Sequence, residues 1–263
     1  MNYVSRLFQG ITVLGLSTLL SIQSTAALET DHDEYQTVSS FINLVTEGDK
    51  EKIASFFRYP LKRSYPIPDI QNKQEFIDRF DQIFDQELMT AIASSNIKTD
   101  WRQVGWRGVM LGSGLVWVNG GQITAVNYQT DLEDSIEQQI IRQQQANLHA
   151  SVQQFQRPIL DWTTEQFHIR VDQLKDDSYR YSAWSLGTST DQQPDLILYD
   201  GNLTITGSGG NHHYEFRQGD YLYKLLVFMI GSKETPPGQL EVFRNEHRIL
   251  LEVVLSPERQ KLR

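Results

Sequence analysis

The sequence predicts an α+β protein in which helices come first and antiparallel strands follow. Apolar residues recur at helical spacing over residues 38–84, and they alternate with polar residues from Trp106 onward. Turns that contain glycine separate the alternating segments. Helices followed by a meander of strands are typical of α+β domains. We therefore expect helices with a curved antiparallel sheet in the first half, and a small all-β barrel or sandwich in the second.

Glycine and proline divide the helical part of the sequence. Apolar side chains share one helical face over residues 38–45, and Gly48 ends this helix. A second helix is predicted between a cap at Asp49 and a stop at Pro60, with apolar residues over 53–57, and a third over residues 76–84, where Phe recurs. The segment Tyr65-Pro66-Ile67-Pro68 between them is expected to be extended, because a residue before proline is pushed out of the helical region.

A tight hairpin is predicted at Asn119-Gly120-Gly121, between strands over residues 115–118 and 123–128. Two consecutive glycines supply the positive φ angles that a two-residue hairpin turn needs. This hairpin belongs to the sheet expected in the first half.

Residues 131–156 are rich in Gln and contain no Gly or Pro, which predicts a helical connector. Its apolar residues keep a four-residue spacing that is interrupted by Gln144: Leu132, Ile136, Ile140, Leu148 and Val152. Periodicity alone leaves a second interpretation open, in which this helix is an ordinary surface helix packed on its own domain.

The change of pattern along the chain predicts four regions. These are a signal peptide over residues 1–26, an α+β domain over residues 27–130, the helical connector over residues 131–156 and an all-β domain over residues 157–263. The last region has its own alternating apolar faces, so we expect it to fold alone.

The first 26 residues predict export. A short start with one positive charge, Arg6, precedes an apolar stretch over residues 11–22 that is too short to cross a bilayer as a helix. Ser24 and Ala26 place small residues where a signal peptidase reads them, so cleavage is expected after Ala26. The chain that remains has no long apolar stretch, so we expect a periplasmic or secreted protein without stable membrane insertion.

Charge and cysteine content exclude one class of partner and one kind of chemistry. The chain has 24 basic and 33 acidic residues, and removal of the signal peptide takes away only Arg6. Such an acidic protein is not expected to bind nucleic acid, which needs a basic surface. The sequence has no Cys, which excludes disulfides and thiolate chemistry. An exported chain of this length without disulfides fits a bacterial periplasm.

The order of elements over residues 33–130 resembles a known superfamily. Two short helices, a Tyr59-Pro60-Leu61 turn, a third helix over residues 76–84 and a curved antiparallel sheet follow one another. This order resembles the cone-shaped α+β fold of the nuclear transport factor 2-like superfamily. The resemblance implies a pocket under the sheet. Members of this superfamily include isomerases, small hydrolases and non-catalytic binding modules, so the resemblance implies one of these three classes. No residue matches the Asp base and Tyr donor of its ketosteroid-isomerase-like members.

The histidine pair His212-His213 follows a glycine-rich segment and is a candidate binding site. Adjacent residues of a strand point to opposite faces, so the two rings are not expected to share a metal ion. The spacing to His168 and His247 matches no zinc motif, and we expect neither a metal site nor a cofactor.

The other candidate binding residues are aromatic and lie on the strand that contains Tyr179, Arg180, Tyr181 and Trp184. Tyr, Trp and Arg are enriched at binding surfaces. If the face with Arg180 and Trp184 is exposed, it forms a recognition surface. If the opposite face is exposed, that surface consists of tyrosines: Tyr179, Tyr181, Tyr221 and Tyr223.

The sequence contains no Gly-x-Ser-x-Gly elbow and no thiol nucleophile. It therefore favours a non-catalytic exported protein that recognises or inhibits another envelope protein. Two alternatives stay open, namely an isomerase or hydrolase that uses a pocket in the N-terminal cone, and an accessory protein of the cell envelope.

Overall fold

The computed structural model describes residues 23–255, apart from 208, 230 and 233, and describes side chains from residue 34. The apolar stretch of the predicted signal peptide lies outside the described residues. The helices are α1 Gln23–Glu47, α2 Lys50–Ser55, α3 Lys73–Asp78, α4 Phe80–Ile83, α5 Gln86–Ala93 and α6 Asp131–Ala146, with a 3-10 turn at Gly105–Arg107. None of the helices in this part of the chain combines the length and apolarity needed to cross a membrane.

The described chain contains twelve strands in two antiparallel sheets, which agrees with the predicted α+β class. The first sheet contains β1 Trp101–Gln103, β2 Val109–Leu111, β3 Val116–Asn119 and β4 Gln122–Val126. The second contains β5 Arg157–Thr163, β6 Phe167–Gln173, β7 Tyr179–Ser185, β8 Leu196–Ile205, β9 His212–Gln218, β10 Tyr221–Val227, β11 Gly238–Arg244 and β12 His247–Val253.

The chain divides into two compact units. The small unit combines the chain up to Arg58 with Met89–Asn127, and the large unit combines Tyr59–Leu88 with the chain from Tyr128 onward. The segment Tyr59–Leu88, which the sequence assigned to the N-terminal domain, therefore groups with the β-rich half.

In the small unit, helix α1 packs against the four-stranded sheet. Val38, Phe41 and Val45 are buried on one face of α1, as the spacing predicted. Gly48 ends the helix with φ of 73°. The predicted hairpin is confirmed, because Asn119 pairs with Gln122 across a two-glycine turn with positive φ at both glycines.

The helical segment of the large unit differs from the prediction in two places. The expected helix over residues 76–84 is broken at Arg79 into α3 and α4. The residues expected to be extended form a turn instead, in which Ile67 N donates to Ser64 O at 2.9 Å. The Phe rings of this segment still pack together, with Phe80 and Phe84 stacked at 5.0 Å.

Helix α6 belongs to the large unit, where it packs against α4. It ends at Ala146, ten residues before the predicted end of the connector. Its buried residues are Glu133, Glu137 and Ile141, whereas Leu132 of the predicted apolar stripe is 47% exposed. Glu133 can be buried because it is paired with Arg63, whose side chain is also buried.

The eight strands of the large unit form one up-and-down meander that curls on itself, rather than a sandwich of two sheets. The strands lie in chain order from β5 to β12. At one end the chain just after β12 reaches β5, where Leu255 N donates to Thr163 O at 2.9 Å. Gly238 permits this closure, because a Cβ there would lie 2.4 Å from the Trp162 ring. The inner face is apolar and buried, and includes Ile169, Phe216 and Leu225.

Candidate functional site

The predicted aromatic site on β7 is buried, so the expectation of an exposed recognition face there is wrong. Arg180, Tyr181 and Trp184 are 3%, 2% and 0% exposed. Both faces of β7 are covered. Tyr181 lies in the inner core of the curled sheet, 5.7 Å from the Phe216 ring, and Trp184 packs on the other face with a cluster that includes Phe155.

The alternative tyrosine face is not an open surface either. Tyr179 is half-buried, and its ring makes an edge contact with Tyr214 at 5.0 Å. Tyr221 and Tyr223 are half-buried and pack against the same inner core. These rings therefore contribute to the core.

Arg180 instead belongs to a buried ionic network on the outer face of β5, β6 and β7. Asp172 is fully buried and accepts from Arg170 at 2.8 Å and from Arg180 at 2.9 Å. Arg180 also donates to the carbonyl oxygens of Val152 and Gln154. The guanidinium groups thus tie the strands to the segment that follows α6.

The half-buried end of this network is the carboxylate of Asp161, which lies between a histidine and an arginine. Asp161 accepts from Arg170 at 2.8 Å and lies 2.6 Å from His168 Nε2. Burial of Asp161 opposes its ionisation, but the hydrogen bond from His168 and the charge of Arg170 prevail, and the pKa of Asp161 is lowered. Burial acts against the charge of Arg170 as well, yet Asp172 and Asp161 raise its pKa. Both groups stay ionised.

The network has a histidine and a carboxylate but no assembled nucleophile. His168 contacts Asp161 and lies 5.6 Å from the Trp184 ring. Among the described residues, no hydroxyl is hydrogen-bonded to the His168 ring. A nucleophile within hydrogen-bond reach of the base is the arrangement that acyl-transfer catalysis requires.

The two predicted histidines lie on opposite faces of β9. The His212 ring bonds the Gly210 carbonyl at 2.8 Å, and His213 pairs with Glu215 at 3.2 Å. Burial lowers the pKa of His213, and the nearby Lys224 adds to this effect. Within the described residues, no group of three or more potential ligands could hold a metal ion.

The structure reveals an exposed surface that the sequence did not single out. Along the open face of the four-stranded sheet, Arg102 of β1 pairs with Met110 of β2, which pairs with Trp117 of β3. Arg102 is exposed, and Met110 and Trp117 are half-buried. The 3-10 turn between β1 and β2 carries two exposed side chains, Trp106, which is 77% exposed, and Arg107. We call these five residues the Trp–Arg surface.

The turn that carries Trp106 is held firmly by its backbone. Val104 N donates to Gly108 O at 2.8 Å, and Asn119 Nδ2 donates to Trp106 O at 2.9 Å. Gly108 has φ of 87°, and a Cβ there would lie 2.0 Å from Val118 O. The Arg107 guanidinium lies 5.5 Å from the centre of the Trp106 ring. The two glycines around Trp106-Arg107 were the one sequence signal for this tight turn.

Comparison with known proteins returned no match to this chain among family models, curated proteins or solved structures.

Proposed function

We propose that this chain is an exported binding protein that recognises another exported protein through the Trp–Arg surface. The observation that carries the proposal is Trp106, a large apolar ring that is 77% exposed on a turn fixed by its backbone. A rigid, exposed Trp loses little conformational entropy when it binds, and it brings a large contact area.

The composition of the surface supports recognition of a protein. Aromatic residues, Met and Arg are the residue types enriched in protein interfaces. The Trp–Arg surface contains two Trp, one Met and two Arg. Trp and Arg also dominate among the residues whose truncation costs about 2 kcal/mol or more of binding free energy.

The charge of the surface indicates the chemistry of the partner. The chain as a whole has a formal charge of −9, but this surface carries two cations, Arg102 and Arg107, and the Arg107 guanidinium lies 5.5 Å from the centre of the Trp106 ring. Among the described residues, no carboxylate lies within ion-pair distance of Arg102. A partner segment with carboxylates around an apolar side chain complements this arrangement.

Export to the periplasm or outside the cell is part of the same proposal. It is supported by the charged start, the short apolar stretch over residues 11–22 and the small residues at Ser24 and Ala26. Cleavage after Ala26 leaves a chain with a formal charge of −10, because only Arg6 is removed.

The resemblance to the nuclear transport factor 2-like superfamily also remains a proposal. It is supported by the helices that precede the four-stranded antiparallel sheet in the chain and by the contact of α1 with β3. A binding role, rather than hydrolase activity, is supported because none of the described residues places a hydroxyl in hydrogen-bond contact with His168.

The test begins with the chain from Ala27 onward, immobilised and exposed to an envelope extract of the source cell. Each retained protein is purified and titrated against the wild type, Trp106→Ala and Arg107→Ala. We expect Trp106→Ala to lower the affinity for the true partner about 30-fold, the equivalent of about 2 kcal/mol of binding free energy. The melting temperature should not change, because the ring is exposed.

Ile205→Ala is the matched control, since Ile205 is 70% exposed and lies on β8 of the large unit. It should leave the affinity unchanged. A retained protein that binds Trp106→Ala as tightly as it binds the wild type would contradict the proposed surface. Binding that does not weaken with added salt would contradict the acidic nature of the partner.

A further inference from the structure

A pocket in the large unit lies between the turn over residues 64–68 and strand β5. Its volume is about 480 Å³, within the range of roughly 300–1,000 Å³ that is typical of small-molecule sites. Most of its wall is apolar, and the apolar lining includes Ile67, Ile159, Trp162, Pro237, Val254 and Leu255.

The pocket follows the open edge of β5. Four consecutive residues of this strand line it, from residue 159 to residue 162. Because successive side chains of a strand point to opposite faces, a pocket that touches all four lies against the edge of the strand. β5 is the last strand of its sheet, so the pocket occupies the gap beside an edge strand.

An additional strand is a poor occupant of this gap. Pro158 has no backbone N–H to donate. The pairing with β6 passes from Pro158 with Asp172 to Leu160 with Val171, so Ile159 is a bulge without a partner. Proline and a bulge on an edge strand are features that oppose pairing with a further chain.

The charges at the pocket already have partners within the protein. Asp161 is paired with His168 and Arg170, and Asp69 accepts from Lys62 Nζ at 2.6 Å. Arg63 is paired with Glu133. A charged ligand would therefore lose its hydration without gaining an unpaired counter-ion, which favours a neutral ligand.

Two polar groups remain able to orient a ligand. Each oxygen of Asp161 makes one of the bonds above, and an ionised carboxylate can accept about four, so Asp161 can accept another. The Tyr65 hydroxyl accepts a long hydrogen bond, of 3.4 Å, from Gln144 Nε2, and Tyr65 is 39% exposed. An acceptor thus lies beside an apolar wall.

We propose that this pocket binds a small neutral molecule with an apolar body and one hydrogen-bond donor, of the size and polarity of an aromatic amine or an alcohol. The donor bonds the Asp161 carboxylate or the Tyr65 hydroxyl, and the apolar body lies against Ile159 and Leu255. This site is separate from the Trp–Arg surface, and it does not depend on the proposed protein partner.

The wild-type protein is tested with three fluorescent probes that share one skeleton. N-phenyl-1-naphthylamine is neutral and has one N–H donor, its N-methyl derivative lacks the donor, and 8-anilino-1-naphthalenesulfonate adds a negative charge. We expect saturable binding of the first probe with one site per chain. The N-methyl derivative should bind about two- to tenfold more weakly, and the sulfonate at least about tenfold more weakly.

Variants locate the site. Ile159→Glu and Leu255→Glu each place a carboxylate in the apolar wall and should abolish binding of the neutral probe. Leu255 is half-buried and follows the last strand, whereas Ile159 lies within β5, so the Leu255 variant is expected to fold even if Ile159→Glu does not. Ile249→Glu is the control, because Ile249 is 57% exposed on β12 and does not line the pocket.

Three results would overturn the proposal. The first is binding of the sulfonate as tight as that of the neutral probe. The second is binding that survives in a folded Ile159→Glu or Leu255→Glu variant. The third is displacement of the probe by a capped peptide of alternating valine and threonine, which would show that the gap accepts a strand.

Discussion

Four charged side chains share the outer face of β5, β6 and β7, and each is neutralised by a neighbour within hydrogen-bond distance. Asp172 is at the centre, fully buried between Arg170 and Arg180. A buried ion pair contributes little net stability over an apolar replacement, but removal of one partner leaves an uncompensated charge. The network is therefore sensitive to single substitutions.

Asp172→Ala should lower the free energy of unfolding by about 3–5 kcal/mol, because it leaves two buried guanidinium groups short of a counter-charge. Urea denaturation measures the loss. Asp191→Ala is the control, since Asp191 is exposed and should change stability by no more than about 0.5 kcal/mol. Equal stability of the two variants would contradict the central place of Asp172.

The outer end of the network should respond to pH. The pKa of Asp161 is lowered in the folded protein, so its ionised form stabilises the fold above the unfolded pKa near 3.8. This stabilisation is lost as the pH falls through the folded pKa. Asp161→Asn should therefore be less stable than the wild type at pH 7, and the difference should shrink below about pH 4. Denaturation curves at pH 3, 5 and 7 measure this, and a constant difference would contradict the role of the charge.

Trp184→Ala should lower the free energy of unfolding by about 3–5 kcal/mol, the range for loss of a large buried aromatic side chain. The ring is 0% exposed, and its Nε1 donates to Gln192 O at 2.9 Å. Trp106→Ala removes the same side chain from an exposed site and provides the comparison. Similar losses in the two variants would contradict the assignment of one Trp to the core and the other to a surface.

At the scale of elements, local patterns predicted what depends on neighbouring residues alone. The apolar face of α1 and the hairpin at Gly120-Gly121 follow from spacing and from the freedom of glycine at positive φ. The break at Arg79 did not follow, because the Phe spacing suits one helix as well as two. The buried face of α6 was also missed, since Glu133 is buried only through Arg63, which lies 70 residues away in the chain.

The candidate functional residues also depend on contacts between distant parts of the chain, which the sequence pattern does not show. Alternation along β7 identified two faces but could not show that both are covered, since that depends on α6 and the segment after it. Exposure of Trp106 could not be predicted either, because a Trp between two glycines suits a core turn as well as a surface turn. The ionic residues were visible only as ordinary polar positions of alternating strands.

The start of α6 offers a test at this scale. Thr130 is 2% exposed, and its hydroxyl accepts from Glu133 N at 3.0 Å and donates to Gln82 O at 2.9 Å. Thr130→Ala should lower the free energy of unfolding by about 1–2 kcal/mol, because it removes the helix cap and leaves the Gln82 carbonyl without its donor. Thr130→Ser keeps the hydroxyl, so thermal denaturation should show a much smaller loss of stability for this variant. Equal losses would assign the effect to the methyl group instead.

At the scale of the whole molecule, the chain order of the two halves was predictable, but the grouping of segments was not. Helical and alternating periods show where helices give way to strands. They do not show that Tyr59–Leu88 belongs with the curled sheet, because that grouping depends on contacts between distant segments, such as Arg63 with Glu133. Charge pairing across long separations thus contributes to the architecture without leaving a periodic signal.

The sequence led us to expect that residues 157–263 fold alone, and the structure gives a physical reason for a different outcome. Arg180 donates to carbonyl oxygens at Val152 and Gln154, and Arg170 lies 5.4 Å from the Phe155 ring. A fragment that begins at residue 157 lacks all three partners and exposes Trp184. It should therefore melt at a lower temperature, or without cooperativity, while a fragment of residues 128–263 keeps this cover and melts at a higher temperature. Circular dichroism of both fragments beside the chain from Ala27 onward measures this, and equal melting of the two fragments would show that the curled sheet needs no cover from α6 and the residues after it.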